Sequence, residues 1–357
     1  MSSSGGSRLS GQRIGALVLA LVFVIALIAL VRYTFTADFG SSSRQPRPPV
    51  AGNSRRPSPR SAPSARKTAP ARETLMIQAT GDVSLDPDYI SNFNTYGYDY
   101  AWSGMKGLFQ RDDLTIVNLE CPVSLGGVKF SKQFTFRGDP AALPAMKEAG
   151  VEVANIGNNH SYDYGMMAFL DTLRYLDHSG ITAVGGGKDD EDATKPRVFN
   201  LKGWKVAVVG IAGVVEPAPE AVAAPGHPGV ACHHDVDCMV GAIRRADKVA
   251  DLVVVVIHWG VELHPEPNST QIDWAHQFID AGADAIFGHH SHRLGPVETY
   301  KGRPIFWSLG NFVWPAFSGA GATTGVARVV ITPDRKIDYR LLPAYIESSG
   351  HPVLRGT

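Results

Sequence analysis

Leu252-Val253-Val254-Val255-Val256-Ile257-His258-Trp259-Gly260-Val261-Glu262 joins six consecutive apolar residues to a polar cluster. Six apolar residues, most of them β-branched, are too few for a helix and suit a strand buried on both faces. The chain leaves that strand on His258, Gly260 and Glu262. The same arrangement recurs along the sequence. The apolar run 75–79 leads into Gly81-Asp82, and 114–117 leads into Asn118-Leu119-Glu120. The run 151–154 leads into Asn155-Ile156-Gly157-Asn158-Asn159-His160-Ser161-Tyr162-Asp163, and 285–287 into Gly288-His289-His290-Ser291-His292. A further buried strand is expected at 206–211. Amphipathic stretches at 141–149, 166–178, 236–250 and 269–281 read as helices between them. Strands alternating with helices imply an α/β fold with largely parallel or mixed sheets. Runs at 304–307, 326–331 and 337–342 read as strands without helices between them, so a second sheet is expected.

In open α/β sheets, ligands bind in the crevice beyond the carboxyl ends of the strands. Five strand ends here would deliver Asp, Glu, Asn and several His to one rim. Imidazoles suit Zn, Fe or Mn, and a carboxylate can bridge two ions. Two such ions, about 3.5–4 Å apart, can activate a water and clamp a phosphoryl group. Taken singly, Gly-Asp is ordinarily a turn, Asn-Asn-His a hydrogen-bonded loop, and a strand-end His a capped core residue. Three imidazoles in four residues are harder to explain by packing. Other chemistries find less support. Ser84, Ser161 and Ser291 lie near the clusters, but none sits in a Gly-x-Ser-x-Gly elbow. No phosphate-loop lysine signature occurs, nor a dinucleotide Gly-x-Gly-x-x-Gly with its acidic partner. Gly185-Gly186-Gly187 reads as a turn, and Cys121 as a small buried residue.

The chain has 34 Lys and Arg and 34 Asp and Glu, unevenly placed. Residues 1–72 hold eleven bases and one acid, Asp38, which leaves 23 bases against 33 acids for the rest. An acidic body argues against nucleic acid as partner. Residues 14–31 are 18 residues without a charge, just long enough for a hydrocarbon core. No Ala-x-Ala follows, so an uncleaved signal anchor is expected rather than a cleaved signal peptide. The short N-terminal tail, 1–13, would then be cytoplasmic and the body extracytoplasmic. Residues 38–72, rich in Pro, Ser and Arg, cannot bury enough surface to offset their ordering and read as a disordered stalk. Cys232 and Cys238, six apart, can close a short loop in an oxidising compartment. The sequence leaves open whether they do.

The ordered set resembles the bacterial capsule biosynthesis CapA family, also called the poly-γ-glutamate synthesis (PgsA-like) family. The motifs are Gly81-Asp82-Val83, Asn118-Leu119-Glu120, Asn158-Asn159-His160 with Asp163-Tyr164-Gly165, His258-Trp259-Gly260 with Glu262, Gly288-His289-His290-Ser291-His292, and Ser308-Leu309-Gly310-Asn311-Phe312. The resemblance implies a calcineurin-like metallophosphoesterase fold: two stacked mixed β-sheets flanked by helices, four layers, over 74–346, with a C-terminal tail at 347–357. It implies Asp82, Glu120, Asn159, His258, His290 and His292 as ligands of one or two divalent ions, Mn, Fe or Zn, with Glu120 bridging. His160 and Asp163 would be catalytic. Asn158, Glu262, His289 and Asn311 would support the site or touch substrate, the His-x-His spacing leaving His289 out of the ligand set. The implied role is capsule polymer biosynthesis or export at the cell membrane. The implied partners are an anionic polymer, the membrane subunits of a synthase or export complex, and the bilayer through 14–31. The chain departs from the phosphoesterase pattern at Ser84, where a His is usual, and at Ser161. A non-catalytic scaffold and an extracytoplasmic phosphoesterase or nucleotidase-like enzyme therefore stand beside the hydrolase reading.

Overall fold

The computed structural model describes residues 71–214, 219–315, 318–348 and 350–356. The chain divides into Met1–Arg66 and Lys67–Thr357, and every described residue belongs to the second unit. The span expected at 14–31, and all but the last two residues of the expected stalk, lie outside the described residues. Among the described residues, no helix is long and apolar enough to cross a membrane.

The strands are β1 (Leu75–Val83), β2 (Leu114–Leu119), β3 (Val153–Asn155), β4 (Thr182–Val184), β5 (Gly186–Gly187), β6 (Arg197–Leu201), β7 (Trp204–Ala212), β8 (Gly229–Val230), β9 (Leu252–His258), β10 (Ala285–His289), β11 (Val297–Tyr300), β12 (Arg303–Phe306), β13 (Asn311–Val313), β14 (Thr323–Ile331), β15 (Ile337–Ser348) and β16 (His351–Leu354). One mixed sheet runs β16-β15-β14-β1-β2-β3-β4, with β13 paired to the end of β1. A second runs β11-β12-β10-β9-β7-β6, and β5 pairs with β8. In the first sheet β1 to β4 are parallel, while β14 to β16 are antiparallel. In the second, β7, β9, β10 and β12 are parallel, with antiparallel β6 and β11 at the edges.

Side-chain alternation along β9 builds the layers. Leu252, Val254 and Val256 join Ile77, Ile116 and Val208 in a core fed by both sheets. Val253, Val255 and Ile257 point the other way, into a core completed by the helices Val236–Asp247 and Ser269–Asp280. A third core packs the first sheet against Phe169 and Leu176 of the helix Gly165–His178. A strand clothed on both faces has no polar alternation, which is why 252–257 is apolar throughout.

The four expected helices form to within a few residues at each end, while the short helices Asn92–Tyr96, Tyr100–Ser103, Asp190–Ala193 and Gly319–Ala322 were not expected. Three differences follow from tertiary pairing. First, β1 continues to Val83, so Asp82 lies inside the strand. It does so because β13 pairs beside it, Asp82 opposite Asn311. Gly81 makes this approach feasible, since a Cβ there would stand 2.0 Å from the Gly310 carbonyl oxygen. Second, β15 runs to Ser348 and β16 pairs back on it, so the sheet extends past the expected boundary at 346. Third, Gly186–Gly187 forms β5 against Gly229–Val230 rather than a bare turn.

Candidate metal centre

Five parallel strands end at one rim in register. Asp82 on β1 lies opposite Asn118 on β2, and Asn118 opposite Asn155 on β3. His258 on β9 lies opposite His289 on β10. The chain then leaves β2 at Glu120, β3 at Asn159 and His160, and β10 at His290 and His292. The backbones of His290 (φ +93°) and His292 (φ +52°) are left-handed, a conformation non-glycine residues hold at a cost of about 1–3 kcal/mol each and that clusters at functional sites.

The side chains form two groups that share one carboxylate. Ligand atoms of Glu120, His258 and His290 lie within 4.8 Å of one another, and so do those of Asp82, Glu120 and His292. His258 Nε2 stands 2.8 Å from Asn159 Oδ1, 2.9 Å from His290 Nδ1 and 3.3 Å from Glu120 Oε1. A ring nitrogen carries at most one proton, so it cannot satisfy three neighbours. His292 lies 3.2 Å from Asp82 Oδ2 through Nδ1 and 3.8 Å from Glu120 Oε1 through Nε2. Asp82 and Glu120 are fully buried. Both Glu120 oxygens and Asp82 Oδ2 are without a hydrogen bond among the described residues. Buried carboxylate oxygens without partners are costly unless a cation meets them. The donor set therefore fits divalent metal, with Glu120 placed between two positions.

The electrostatics agree. Burial, reinforced by the neighbouring Asp82 carboxylate, pushes Glu120 well above the usual carboxylate range. Burial and then His290 hold His258 far below the usual imidazole value. Burial followed by the charge of His292 lowers His290 to about 4. Neutral imidazoles are the form that ligates metal. Burial opposes ionisation of Asp82 and His292, yet their close approach and opposite charges outweigh it, lowering the acid and raising the base.

The other expected residues fall into distinct places. Asp163 stays out of both groups. It accepts from His160 Nδ1 at 2.7 Å and from the Phe136 amide, and pairs with Lys132 at 2.5 Å. Asn158 ties its loop to the Leu119 carbonyl at 2.9 Å. His289 donates to the Thr80 carbonyl, linking the two sheets, and joins neither group. Asn311 Oδ1 lies 2.8 Å from His292 Nδ1. Glu262 is exposed, lines the cleft above the centre, and joins neither group. Ser84 is buried, its hydroxyl 3.4 Å from the Asp86 amide. Cys232 and Cys238 form a disulfide, Cα to Cα 5.5 Å, and Cys121 is free and buried. Three participants escaped the sequence reading. Asn118 donates to Asp82 Oδ1 and lies 3.2 Å from His258 Nδ1. Lys132 and Arg293 stand in the cleft. Asn118 was signalled by its place in a strand-end motif and Arg293 by its place directly after the His-His-Ser-His run, while Lys132 sits in a loop with no motif.

The chain matches the family model described as bacterial capsule synthesis protein PGA_cap over residues 76–316. It belongs to that family. Among PGA_cap relatives, it is 33% identical to the "Capsule biosynthesis protein CapA" of Bacillus anthracis over 250 residues, which covers 68% of this chain and 60% of the relative. It is 34% identical to the "PGA biosynthesis protein CapA" of Bacillus subtilis (strain 168) over 221 residues, covering 61% and 57%. The chain thus spans about three fifths of the length of these curated relatives. A solved 5'-nucleotidase from Candida albicans SC5314 overlaps 77% of this chain and 53% of its own, at 14% identity and a TM-score of 0.44.

Proposed function

We propose that this chain is a membrane-anchored, extracytoplasmic protein of capsule (poly-γ-glutamate) biosynthesis or export, bearing a divalent-metal hydrolase site on a calcineurin-like metallophosphoesterase scaffold over 74–346. The observation that carries the proposal is Glu120, a fully buried carboxylate common to both ligand groups with neither oxygen hydrogen-bonded. Asp82, Glu120 and His292 would hold one ion, and Glu120, Asn159, His258 and His290 the other. Manganese, iron or zinc suits these donors. When bound, such ions lower the pKa of water and neutralise charge developing on the scissile group. The chain's own residues do the rest. Asp163 fixes the His160 ring through Nδ1, which leaves Nε2 to carry a proton between cleft water and the departing group. Lys132 holds Asp163 in place from the opposite side. The uncharged stretch 14–31 supports the anchor, and the relatives' names support the polymer.

One observation favours a non-catalytic scaffold. Ser84 offers no imidazole, so the Asp82 group has three donors where a fourth is usual. Elemental analysis of the purified chain separates the two readings. About two divalent ions per chain are expected, with a clear loss in His290→Ala at unchanged circular dichroism. Equal metal content in that variant overturns the assignment, and a metal-free wild type after incubation with manganese favours the scaffold.

A further inference from the structure

The cleft above the centre has two lobes that share Phe134, His160 and Glu262. The larger, about 610 Å³, adjoins His290 and Asn159. The smaller, about 300 Å³, adjoins His292 and Asn311. Much of its wall is aromatic. Trp314 packs edge-on against Phe136 at 5.0 Å and tilts against His292 at 4.9 Å, while Phe136 lies 4.5 Å from the His160 ring. Both Phe136 and Trp314 are buried.

Arg293 stands in this lobe. Its backbone N–H donates to Ser291 Oγ, and Nη1 donates to the His292 carbonyl at 2.7 Å. Gly321 leaves the guanidinium its room, since a Cβ there would lie 3.2 Å from Nη1. Among the described residues, no carboxylate pairs with Arg293, and its Nε and Nη2 donate to no protein group. Other described arginines without a carboxylate partner, such as Arg137, Arg244 and Arg340, do not line this lobe. A guanidinium tied to a backbone carbonyl, with free donors in a lobe also lined by Phe136 and Trp314, suits a planar anion.

We infer that the lobe walled by Phe136 and Trp314 is a subsite for one repeat unit of an anionic polymer, with Arg293 reading its negative group while the apolar stem of the unit lies on the rings. The inference rests on the proposed polymer substrate and is independent of whether the metal centre is catalytic. A pendant carboxylate and a backbone phosphate both satisfy the chemistry, and separate probes tell them apart.

The test is calorimetric titration of the purified full chain, loaded with manganese, with three probes. These are γ-linked hexaglutamate, the same chain with its carboxylates amidated, and a glycerol-phosphate oligomer of matched charge. The wild type is expected to prefer one anionic probe over the amidated chain by about ten- to a hundredfold. Arg293→Gln should abolish that preference at unchanged metal content, and Arg293→Lys should retain part of it. The preferred probe names carboxylate or phosphate as the anion. A wild type that does not discriminate, or an Arg293→Gln chain that discriminates as well as wild type, overturns the subsite. Discrimination in a chain that holds no metal keeps the subsite and removes the hydrolase reading.

Discussion

Replacing Glu120 by Gln removes one charge and little volume. In the metal-free protein, burial beside Asp82 disfavours the charged form of this carboxyl, which has no hydrogen bond among the described residues, so an uncharged amide in its place removes an electrostatic penalty. In the metal-bound protein the same carboxylate belongs to both ligand groups. Opposite effects are therefore expected from one substitution. In chelator, Glu120→Gln should melt at or above the wild-type temperature. With manganese added, the wild type should gain stability by mass action, about 2.7 kcal/mol at a hundredfold excess over Kd, and the variant should gain none. Scanning calorimetry under both conditions checks this, and a manganese-dependent rise in the variant would show that Glu120 is not a shared ligand.

At the scale of elements, the helix Ser269–Asp280 starts on a reciprocal cap. Asn268 accepts from the Gln271 amide, and the Gln271 side chain accepts from the Asn268 amide. Asn268→Ala should cost about 1 kcal/mol in urea denaturation, and no change would mean that packing alone holds the helix end. The legibility of the elements follows their burial. β9 was readable because a strand clothed on both faces is apolar almost throughout, and β1, β2, β7 and β10 because apolar residues still dominate them. β4, β6, β11 and β16 were not, being short or half-exposed edge strands whose composition resembles loops. The same distinction holds at the site. Asp82, Glu120, His258, His290 and His292 were legible because strand ends fix their order. Lys132 reaches the cleft from a loop, where proximity depends on how the chain returns and not on local sequence, whereas Arg293 adjoins the motif residue His292 but carried no metal-ligand signal of its own.

At the scale of the whole molecule, stability should depend on pH through a group far from the cleft. Asp112 accepts from Gln78 and Thr115 where β1 and β2 begin. Burial, aided by the charges of Glu152 and Asp113, pushes its carboxyl up to about 7, above the value of about 3.9 it takes in an unfolded chain. Between those values the native state holds a proton that the unfolded state has lost. The stabilisation from this group is full below about pH 4 and is lost as pH rises through 7, at a slope no steeper than about 1.4 kcal/mol per unit. Glu152 and Asp284, also raised by burial, act in the same direction. The imidazoles of His160, His258 and His290, held low by burial, act in the opposite direction, so the test is a comparison. In urea denaturation at pH 5 and pH 8, the change in stability on going to pH 8 should be more favourable in Asp112→Asn than in the wild type, and an equal change in both chains would exonerate Asp112. The pairing of β1 with β13 has a consequence for when the candidate centre could take up an ion. Asp82 is among the first residues of the body to be synthesised, while His292 and Asn311 come near its end, and both ligand groups need residues from each portion. Until β10 and the loop after it are made, a growing chain holds only fragments of the centre. Any loading would therefore come late, and for a chain carried unfolded across a membrane the ion supply that would decide occupancy is the one on the arrival side.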